Sequence, residues 1–213
     1  MIVDERMIAY IRSLDRGETP LIADIAKQAL TDRVPIIRQE TASLLKVLLK
    51  MTKPKKILEV GTAVGFSALL MSEYAPQASI TTIEKFEQRI IQAKENFAKA
   101  GKQSVITLLE GDAAQILKTL DSEYDFIFMD AAKGQYIHFL PEVMRLLMSG
   151  GTLVSDNALQ DGDVVESRFA VTRRNRTIHS RMREYLWELK HRPDLETVVL
   201  PIGDGVTVST KTI

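Results

Sequence analysis

The chain is 213 residues long, carries no net charge at neutral pH and is 45% hydrophobic and 26% charged, which predicts one globular domain and excludes a disordered or fibrous protein. It contains no cysteine, so disulfides and thiolate metal sites are excluded. No segment approaches the roughly 20 apolar residues that span a bilayer, and the acidic start (Asp4, Glu5) is unlike a secretory signal, so we expect a cytoplasmic protein without a membrane partner.

Three helices are predicted before the first strand. Apolar residues recur at helical spacing over residues 2–14, 21–30 and 37–51. Because these helices are too short to form a core of their own, we expect residues 1–52 to cap an α/β core formed by residues 53–213, within a single domain.

The predicted cap also carries more apolar surface than it can bury. Ile8 and Ile11 lie in the first predicted helix, and Ile22 and Ile25 lie in the second. Large exposed apolar patches usually mark contacts between protein chains. We therefore predict a homodimer that forms through the N-terminal helices.

A strand, a glycine turn and a helix follow one another from Lys56 to Ser67. The strand is predicted over residues 57–60, Gly61 and Gly65 mark the turn, and a helix follows over 67–74. This unit brings backbone N–H groups and a helix N-terminus close to a ligand. The Glu-x-Gly-x-x-x-Gly spacing lacks the middle glycine of a diphosphate site, so a cofactor with an amino acid end and a ribose is favoured.

Glu84 adds a second feature of a nucleoside site. It ends the next predicted strand, over residues 80–83, and an acid there can accept hydrogen bonds from both ribose hydroxyls. The alternative is a generic strand–turn–helix with a solvated glutamate. Together these residues resemble motif I and the acidic ribose clamp of class I S-adenosylmethionine-dependent methyltransferases.

The chain then alternates regularly between strands and helices. Further strands are predicted over residues 105–109, 126–129 and 152–155, and helices over 86–100, 113–120 and 136–148. This alternation predicts a parallel sheet with helices on both faces. Two last strands, 197–200 and 206–209, are joined by a Gly-Asp-Gly link that permits a hairpin. The predicted fold is α/β and Rossmann-like, with seven strands and a terminal antiparallel hairpin, and it resembles the class I methyltransferase sheet.

Further candidate residues follow the later strands, where ligands bind in open α/β sheets. Asp112 and Ala113 follow the third strand and are expected beside an adenine, although Asp112 is also a candidate helix N-cap. Asp130 follows the fourth strand, with Lys133 three residues later. Asp156 and Asn157 follow the fifth strand.

Asp130, Asp156 and Asn157 offer only oxygen donors from adjacent strand ends. Such a set favours a hard cation, Mg²⁺ rather than zinc, with water or substrate oxygens completing the coordination. In the alternative, Asp130 binds only the ammonium group of the cofactor, and Asp156-Asn157 forms an Asx turn. The two pairs together, with Lys133 nearby, favour the metal.

From Val34 to Ser209 the chain resembles the metal-dependent O-methyltransferase family that includes catechol and caffeoyl-CoA methyltransferases. The Asp-x-x-Lys of that family is matched by Asp130 to Lys133, its Asp-Asn by Asp156-Asn157 and its motif I by Glu59 to Ser67. The resemblance implies S-adenosylmethionine and Mg²⁺ as cofactors. It implies cofactor contacts from Ile37, Glu59, Gly61, Ser67, Glu84, Asp112, Ala113 and Asp130, and Mg²⁺ ligands from Asp130, Asp156 and Asn157.

The resemblance also implies a mechanism. Mg²⁺ chelated by two vicinal substrate oxygens acidifies and orients a hydroxyl. Lys133 is the candidate base, and Asp130 is the second candidate catalytic residue. The alternative for Lys133 is a surface lysine whose charged end reaches water.

Residues 168–192 form a basic segment, with eight Lys or Arg against two Glu. Basic clusters are usually solvated faces, but beside a chelating site they favour a phosphate-bearing substrate. The run from Arg173 to Ile178, followed by Arg181-Met182-Arg183, is similar to the bacterial tRNA 5-hydroxyuridine methyltransferases of this family. That resemblance implies conversion of wobble 5-hydroxyuridine in tRNA to 5-methoxyuridine, with RNA bound by Arg173, Arg174 and Arg176.

Two other functions stay open at this point. One is O-methylation of a small catechol-like or hydroxycinnamoyl phenol. The other is a non-catalytic cofactor-binding or regulatory subunit, which is disfavoured because Asp130, Lys133, Asp156 and Asn157 are all present.

Overall fold

The computed structural model describes residues 3–212 of the chain. Ile2, at the start of the first predicted helix, lies outside the described residues. Within them, the α-helices are α1 (Glu5–Ser13), α2 (Pro20–Thr31), α3 (Gln39–Thr52), α4 (Phe66–Tyr74), α5 (Glu87–Lys99), α6 (Ala113–Thr119), α7 (Tyr136–Leu146) and α8 (Arg176–His191). The strands are β1 (Lys56–Val60), β2 (Ser79–Glu84), β3 (Ile106–Glu110), β4 (Tyr124–Met129), β5 (Leu147–Ser155), β6 (Leu195–Leu200) and β7 (Val206–Lys211).

The strands form one sheet in the order β3-β2-β1-β4-β5-β7-β6. The first five strands are parallel, whereas β7 is antiparallel to both β5 and β6. The predicted Rossmann-like α/β fold with a terminal antiparallel hairpin is therefore confirmed. All five parallel strands end at the same edge of the sheet, so the residues that follow them meet there.

Helix α7 ends two residues earlier than predicted. The sequence predicts a helix to Met148, but the helix ends at Leu146 and β5 begins at Leu147. Leu147 is fully buried and pairs with Tyr124 of β4. Sheet pairing at this position therefore overrides the local helical pattern.

The core lies on both faces of the sheet. Ile57 and Phe128 belong to the apolar cluster packed by helices α2 to α5, whereas Leu58 and Ile127 belong to the cluster packed by α6 to α8. Neighbouring residues of a strand point to opposite faces. The central strands are therefore apolar on both sides, as the continuous apolar runs predict.

The helices before β1 differ in how they pack. Helix α1 has no buried residue among those described, and Ile11 is 48% exposed. Ile22 and Ile25 of α2, by contrast, are buried in the core cluster with α4. The prediction that these two residues offer surface to a second subunit is therefore wrong, because α2 packs onto its own chain. In residues 3–212, no helix has the length and apolar content that crossing a membrane requires.

Candidate active site

A cavity of about 870 Å³ opens where the parallel strands end. Its walls come from the turn after β1, the end of β2, the start of α6, and the segments after β4 and β5. Most of the predicted site residues line it: Gly61, Glu84, Asp112, Ala113, Asp130, Lys133, Asp156 and Asn157. The structure thus brings these residues together, and the role of each remains a prediction.

Gly61 allows the turn after β1 to pass against the end of β4. Its φ is +105°, and a Cβ built on it would lie 2.0 Å from the carbonyl oxygen of Asp130. Its N–H donates to the carbonyl oxygen of Ile83. No other residue type fits here, because any side chain would displace the backbone that carries Asp130.

Glu84 is held by backbone groups. Its carboxylate accepts hydrogen bonds from the N–H groups of Ala63 at 2.9 Å, Lys85 at 2.8 Å and Phe86 at 2.9 Å. A carboxylate can accept about four hydrogen bonds. The three backbone bonds fix its orientation at the cavity wall, and its remaining acceptor capacity suits a ribose hydroxyl.

Asp112 has the N-cap role that the sequence allows. Its Oδ1 accepts a hydrogen bond from the N–H of Ala114 at 2.9 Å, at the start of α6. Its other oxygen lies 3.6 Å from Nζ of Lys85. The side chain remains exposed at the cavity, so the N-cap bond is compatible with a cofactor contact.

Glu59 and Ser67 lie beneath the cavity and do not line it. Glu59 is fully buried, and its carboxyl group accepts hydrogen bonds from Ser67 Oγ at 2.5 Å and from the hydroxyl of Thr82. Ser67 is also buried and directs its hydroxyl at Glu59. Both side chains therefore support the turn of motif I from below, whereas the sequence predicts that they contact the cofactor.

Ile37 is likewise placed in the core. Its side chain is 5% exposed and packs in the apolar cluster, while its neighbours Ile36 and Arg38 line the cavity. At this position Ile36, and not Ile37, is the apolar side chain that faces the cavity. A shift of one residue is invisible to a local motif, because only packing decides which side chain faces the cavity.

The buried position of Glu59 predicts a pH effect on stability. Burial raises its pKa from 4.5 to about 8, against the opposing hydrogen bonds of Ser67 and Thr82. A carboxyl with a raised pKa stabilises the fold most below its unfolded value, and that contribution is lost as pH rises from about 4.5 to 8. Glu59→Gln, which cannot ionise, should remove this loss. The free energy of unfolding, plotted against pH, should therefore differ in slope between the variant and the unaltered protein by at most about 1.4 kcal/mol per pH unit.

Urea unfolding of both proteins at pH 5, 6.5 and 8 measures this difference. Parallel stability profiles for the two proteins would contradict the assignment, because they would mean that Glu59 takes up no proton on folding.

Asp130 and Asp156 follow the neighbouring strands β4 and β5, and both line the cavity. Burial, and then the charge of Asp156, raise the pKa of Asp130 to about 7, while Lys133 acts in the opposite direction. Burial also raises the pKa of Asp156. Asn157 Nδ2 donates to Asp130 Oδ1 at 3.0 Å, and Thr41 Oγ1 donates to Asp156 Oδ1 at 3.2 Å. Two carboxyl groups that are buried and raise each other's cost of ionisation favour a positive charge beside them.

The oxygen atoms of Asp130, Asp156 and Asn157 suit a hard cation. Neither carboxylate forms an ion pair of 4.0 Å or less with Lys or Arg in residues 3–212. In the same range, no group of three or more His, Cys, Asp or Glu is arranged to hold a metal. A cation here would therefore have two carboxylates and the Asn157 amide as protein ligands. The remaining positions would be left to water or substrate oxygens.

Arg38 links three segments at the mouth of the cavity. Its guanidinium lies 2.9 Å from Asp161 Oδ1, in the loop after β5, and also pairs with Asp204, in the link between β6 and β7. Arg38 itself directly precedes α3. Ion pairs between residues more than 100 positions apart leave no local pattern, so sequence reasoning missed this one.

Four arginines near the start of the basic segment differ in their contacts. Arg173 and Arg174 are exposed, and neither forms a side-chain hydrogen bond or ion pair within residues 3–212. Arg176 donates from Nε to the carbonyl oxygen of Val171 at 3.3 Å. Arg181 donates from Nη1 to the carbonyl oxygen of Gly134 at 3.0 Å, directly beside Lys133.

None of the predicted RNA-binding arginines lines the cavity. Arg173 and Arg174 lie outside it, exposed and without a side-chain partner among residues 3–212. The guanidinium of Arg176 is already partly engaged within the chain.

Comparison with known proteins identifies relatives along nearly the whole chain. Residues 13–212 match a family model described as O-methyltransferase. A provisionally named O-methyltransferase of Mycolicibacterium vanbaalenii is 32% identical over 200 residues, covering 92% of this chain and 85% of that protein.

Solved structures of methyltransferases also resemble this chain over nearly its whole length. A provisionally named caffeoyl-CoA O-methyltransferase of Staphylococcus aureus has a TM-score of 0.87 and 31% identity, covering 97% of this chain and 98% of that one. The Podospora anserina methyltransferase PaMTH1, solved with S-adenosylhomocysteine bound, has a TM-score of 0.88 and 26% identity, covering 98% of this chain and 95% of that one.

Proposed function

The chain belongs to the O-methyltransferase family, and from this premise we propose that it methylates the hydroxyl of wobble 5-hydroxyuridine in tRNA, giving 5-methoxyuridine. It is an S-adenosylmethionine-dependent O-methyltransferase. The observation that carries the substrate proposal is the unpaired basic surface of Arg173 and Arg174, on the segment that connects the Asp156-Asn157 strand end to α8.

The cofactor supplies a methyl group on a positively charged sulfur, which an oxyanion can attack. In this proposal Glu84 accepts from the ribose, Asp112 and Ala113 lie at the adenine, and Asp130 faces the ammonium of the methionine part. All four line the cavity. Gly61 lets the backbone approach the ligand closely, and Glu59 and Ser67 hold the turn from below.

Lys133 is proposed to take the proton from the substrate hydroxyl. It lies on a short 3-10 helix, Lys133–Gln135, at the cavity wall with Asp130 and Asp156. Arg181 donates to the carbonyl oxygen of Gly134 and so holds this helix against α8. A base needs a fixed position within hydrogen-bond reach of the proton that it removes.

Asp130, Asp156 and Asn157 are proposed to hold Mg²⁺. When bound there, the ion would lower the pKa of a hydroxyl in a vicinal oxygen pair and fix its position. The 5-hydroxyl and 4-carbonyl of 5-hydroxyuridine form such a pair, as the two hydroxyls of a catechol do.

Removing the metal tests that part of the proposal. EDTA should reduce methyl transfer roughly 100-fold or more, since a Lewis acid supplies several kcal/mol of transition-state stabilisation, and added Mg²⁺ should restore it. Asp156→Ala should lose the response to Mg²⁺ yet keep most of its affinity for S-adenosylhomocysteine. Asp112→Ala is the matched control: it should weaken cofactor binding and retain the dependence on Mg²⁺. Full activity in EDTA would count decisively against the metal.

Methyl transfer to RNA is the direct test of the substrate. We expect the protein to convert 5-hydroxyuridine in tRNA to 5-methoxyuridine, detected by nucleoside mass spectrometry. Arg173→Ala and Arg174→Ala should each weaken tRNA binding, and each lost phosphate contact should reduce the slope of log affinity against log salt by roughly 1. Robust turnover of catechols, with no methyl incorporation into such a tRNA, would refute the RNA substrate.

A small phenol is the second candidate function. It is favoured by the names of relatives such as the Staphylococcus aureus protein, which refers to caffeoyl-CoA. Under this alternative, Arg173→Ala and Arg174→Ala would be nearly neutral, and no RNA would be needed for turnover.

The homodimer and the cytoplasmic location also remain proposals. The surface that now supports a dimer consists of exposed apolar side chains: Met7, Tyr10 and Ile11 of α1, Leu14 directly after it, and Val47 and Met51 of α3. This set replaces Ile22 and Ile25, which are buried within the chain.

A further inference from the structure

Phe169 is an exposed aromatic side chain that neither the core nor the cavity explains. At 83%, it is the most exposed large hydrophobic residue in residues 3–212. It does not line the cavity and belongs to neither apolar cluster. Exposure of a single apolar side chain is ordinary in proteins, so the case for a ligand at Phe169 depends on what surrounds the ring.

The backbone around Phe169 is fixed by a turn. Its N–H donates to Ser167 Oγ at 3.3 Å. The N–H groups of Ala170 and Val171 donate to the carbonyl oxygen of Ser167 at 2.9 and 3.3 Å. The side chain of Val171 is buried and anchors the end of the turn. The ring is therefore presented on an internally bonded turn.

Arg176 supports one face of the ring. Its guanidinium carbon lies 5.9 Å from the centroid of Phe169, and its Nε is held by the carbonyl oxygen of Val171. An arginine at this distance is attracted to the ring face. We call this pair of side chains, an exposed ring with a positive charge beside it, the Phe169–Arg176 platform.

The surroundings of the platform favour a polyanion. Residues 168–176 contain four arginines and no acidic residue. Aromatic rings interleaved with arginines are typical of sites for single-stranded nucleic acid, where bases stack and phosphates pair with the cations. A protein partner with an apolar surface would not be attracted by this charge.

The platform shares a scaffold with the candidate base. Arg176 begins α8, and two residues later Ile178 packs on Gly134, which follows Lys133. Arg181 bonds to the carbonyl oxygen of the same glycine. The helix that begins with Arg176 is therefore in contact with the segment that carries the candidate base.

We propose that the Phe169–Arg176 platform stacks on an unpaired base adjacent to the target nucleotide of the RNA. This inference rests on the proposed tRNA substrate and adds the residue that positions the strand. Stacking involves the ring face and carries little sequence information, so the platform would hold the strand and leave identification of the nucleotide to the cavity.

Binding of a synthetic anticodon stem-loop carrying 5-hydroxyuridine tests the platform. Phe169→Ala and Phe169→Leu should both weaken binding by roughly 5- to 150-fold, since one base–aromatic stack contributes 1–3 kcal/mol. Phe169→Trp should retain the affinity. The salt slope of Phe169→Ala should equal that of the unaltered protein, unlike that of Arg173→Ala, because no phosphate contact is lost.

Trp187 provides the matched control. It is the only tryptophan in the sequence, is 57% exposed, and lies on α8 stacked on His191. Trp187→Ala removes an exposed aromatic residue about 16 Å along the helix from Arg176 and should leave RNA affinity unchanged. Calorimetric titration with S-adenosylhomocysteine verifies that each variant is folded.

A fluorescence measurement reports stacking directly. In a protein carrying both Trp187→Phe and Phe169→Trp, the single indole at position 169 should be quenched when the stem-loop binds. An unquenched indole in the bound state would overturn the stacking geometry.

Further outcomes separate this inference from the substrate proposal. If the unaltered protein neither binds nor methylates the stem-loop, the tRNA substrate and the stacking platform are both refuted. If it does and Phe169→Ala binds equally well, only the platform is overturned. A normal affinity in Phe169→Leu would also overturn stacking, and a shift in mass by light scattering for Phe169→Ala would assign the ring to a contact between copies of the chain.

Discussion

Replacing Lys133 by Ala should lower kcat roughly 10²- to 10⁴-fold, the usual contribution of a general base, and leave the affinity for S-adenosylhomocysteine nearly unchanged. The physical reason is its position: Lys133 lies at the cavity wall with Asp130 and Asp156, on a short helix held by Arg181. Single-turnover kinetics with 5-hydroxyuridine-containing tRNA, together with calorimetric titration of the cofactor product, measures the two quantities separately.

Lys133→Arg is the matched control, because it keeps the positive charge and cannot give up its proton at physiological pH. If Lys133 is the base, this variant should be as slow as Lys133→Ala. Activity restored by arginine would show that position 133 supplies charge only. Unchanged turnover in Lys133→Ala would remove the residue from the mechanism.

Replacing Gly61 by Ala should also cause a large loss, but of stability and cofactor affinity and not of the chemical step. The new Cβ would lie 2.0 Å from the carbonyl oxygen of Asp130, at a φ of +105°. Either the turn or the end of β4 must move, and both line the cavity. We expect a loss of stability of about 3 kcal/mol or more from overpacking and strain, and a loss of cofactor affinity larger than that of Glu84→Ala.

Gly101→Ala separates the clash from the backbone strain. Gly101 also has a positive φ, of +63°, but a Cβ there meets no atom within 4 Å. This variant should lose only the roughly 1–3 kcal/mol of a strained backbone and keep its cofactor affinity. Urea unfolding and calorimetric titration of both variants provide the comparison. Equal effects from the two substitutions, or undiminished cofactor affinity in Gly61→Ala, would contradict the assigned role of the turn.

The sequence by itself determined the order of the elements and which residues meet at the edge of the sheet where the parallel strands end. Apolar runs and glycines identify β1 and its turn, because strand burial and positive φ act on neighbouring residues. The ends of parallel strands lie at one edge of a sheet. Glu84, Asp112, Asp130 and Asp156 therefore had to meet there, whatever the details of packing.

The tertiary structure alone decided which side of each element faces the cavity. Motif matching places Glu59, Ser67 and Ile37 at the cofactor, but Glu59 and Ser67 bond to each other below the cavity and Ile37 packs in the core. A local motif fixes the backbone path, whereas the direction of a side chain depends on what packs against it.

Contacts between residues far apart in the chain could not be predicted from the sequence either. Arg38 joins α3 to Asp161 and Asp204. In the basic segment Arg181 bonds to a carbonyl oxygen and Arg192 to the carboxylate of Asp194, whereas Arg173 and Arg174 form no side-chain hydrogen bond or ion pair within residues 3–212. A composition count assigns the same charge to all of these arginines. Only folding brings a particular carbonyl oxygen or carboxylate within reach of a particular guanidinium, because these partners are set by the packing of whole elements and leave no trace in the spacing of neighbouring residues.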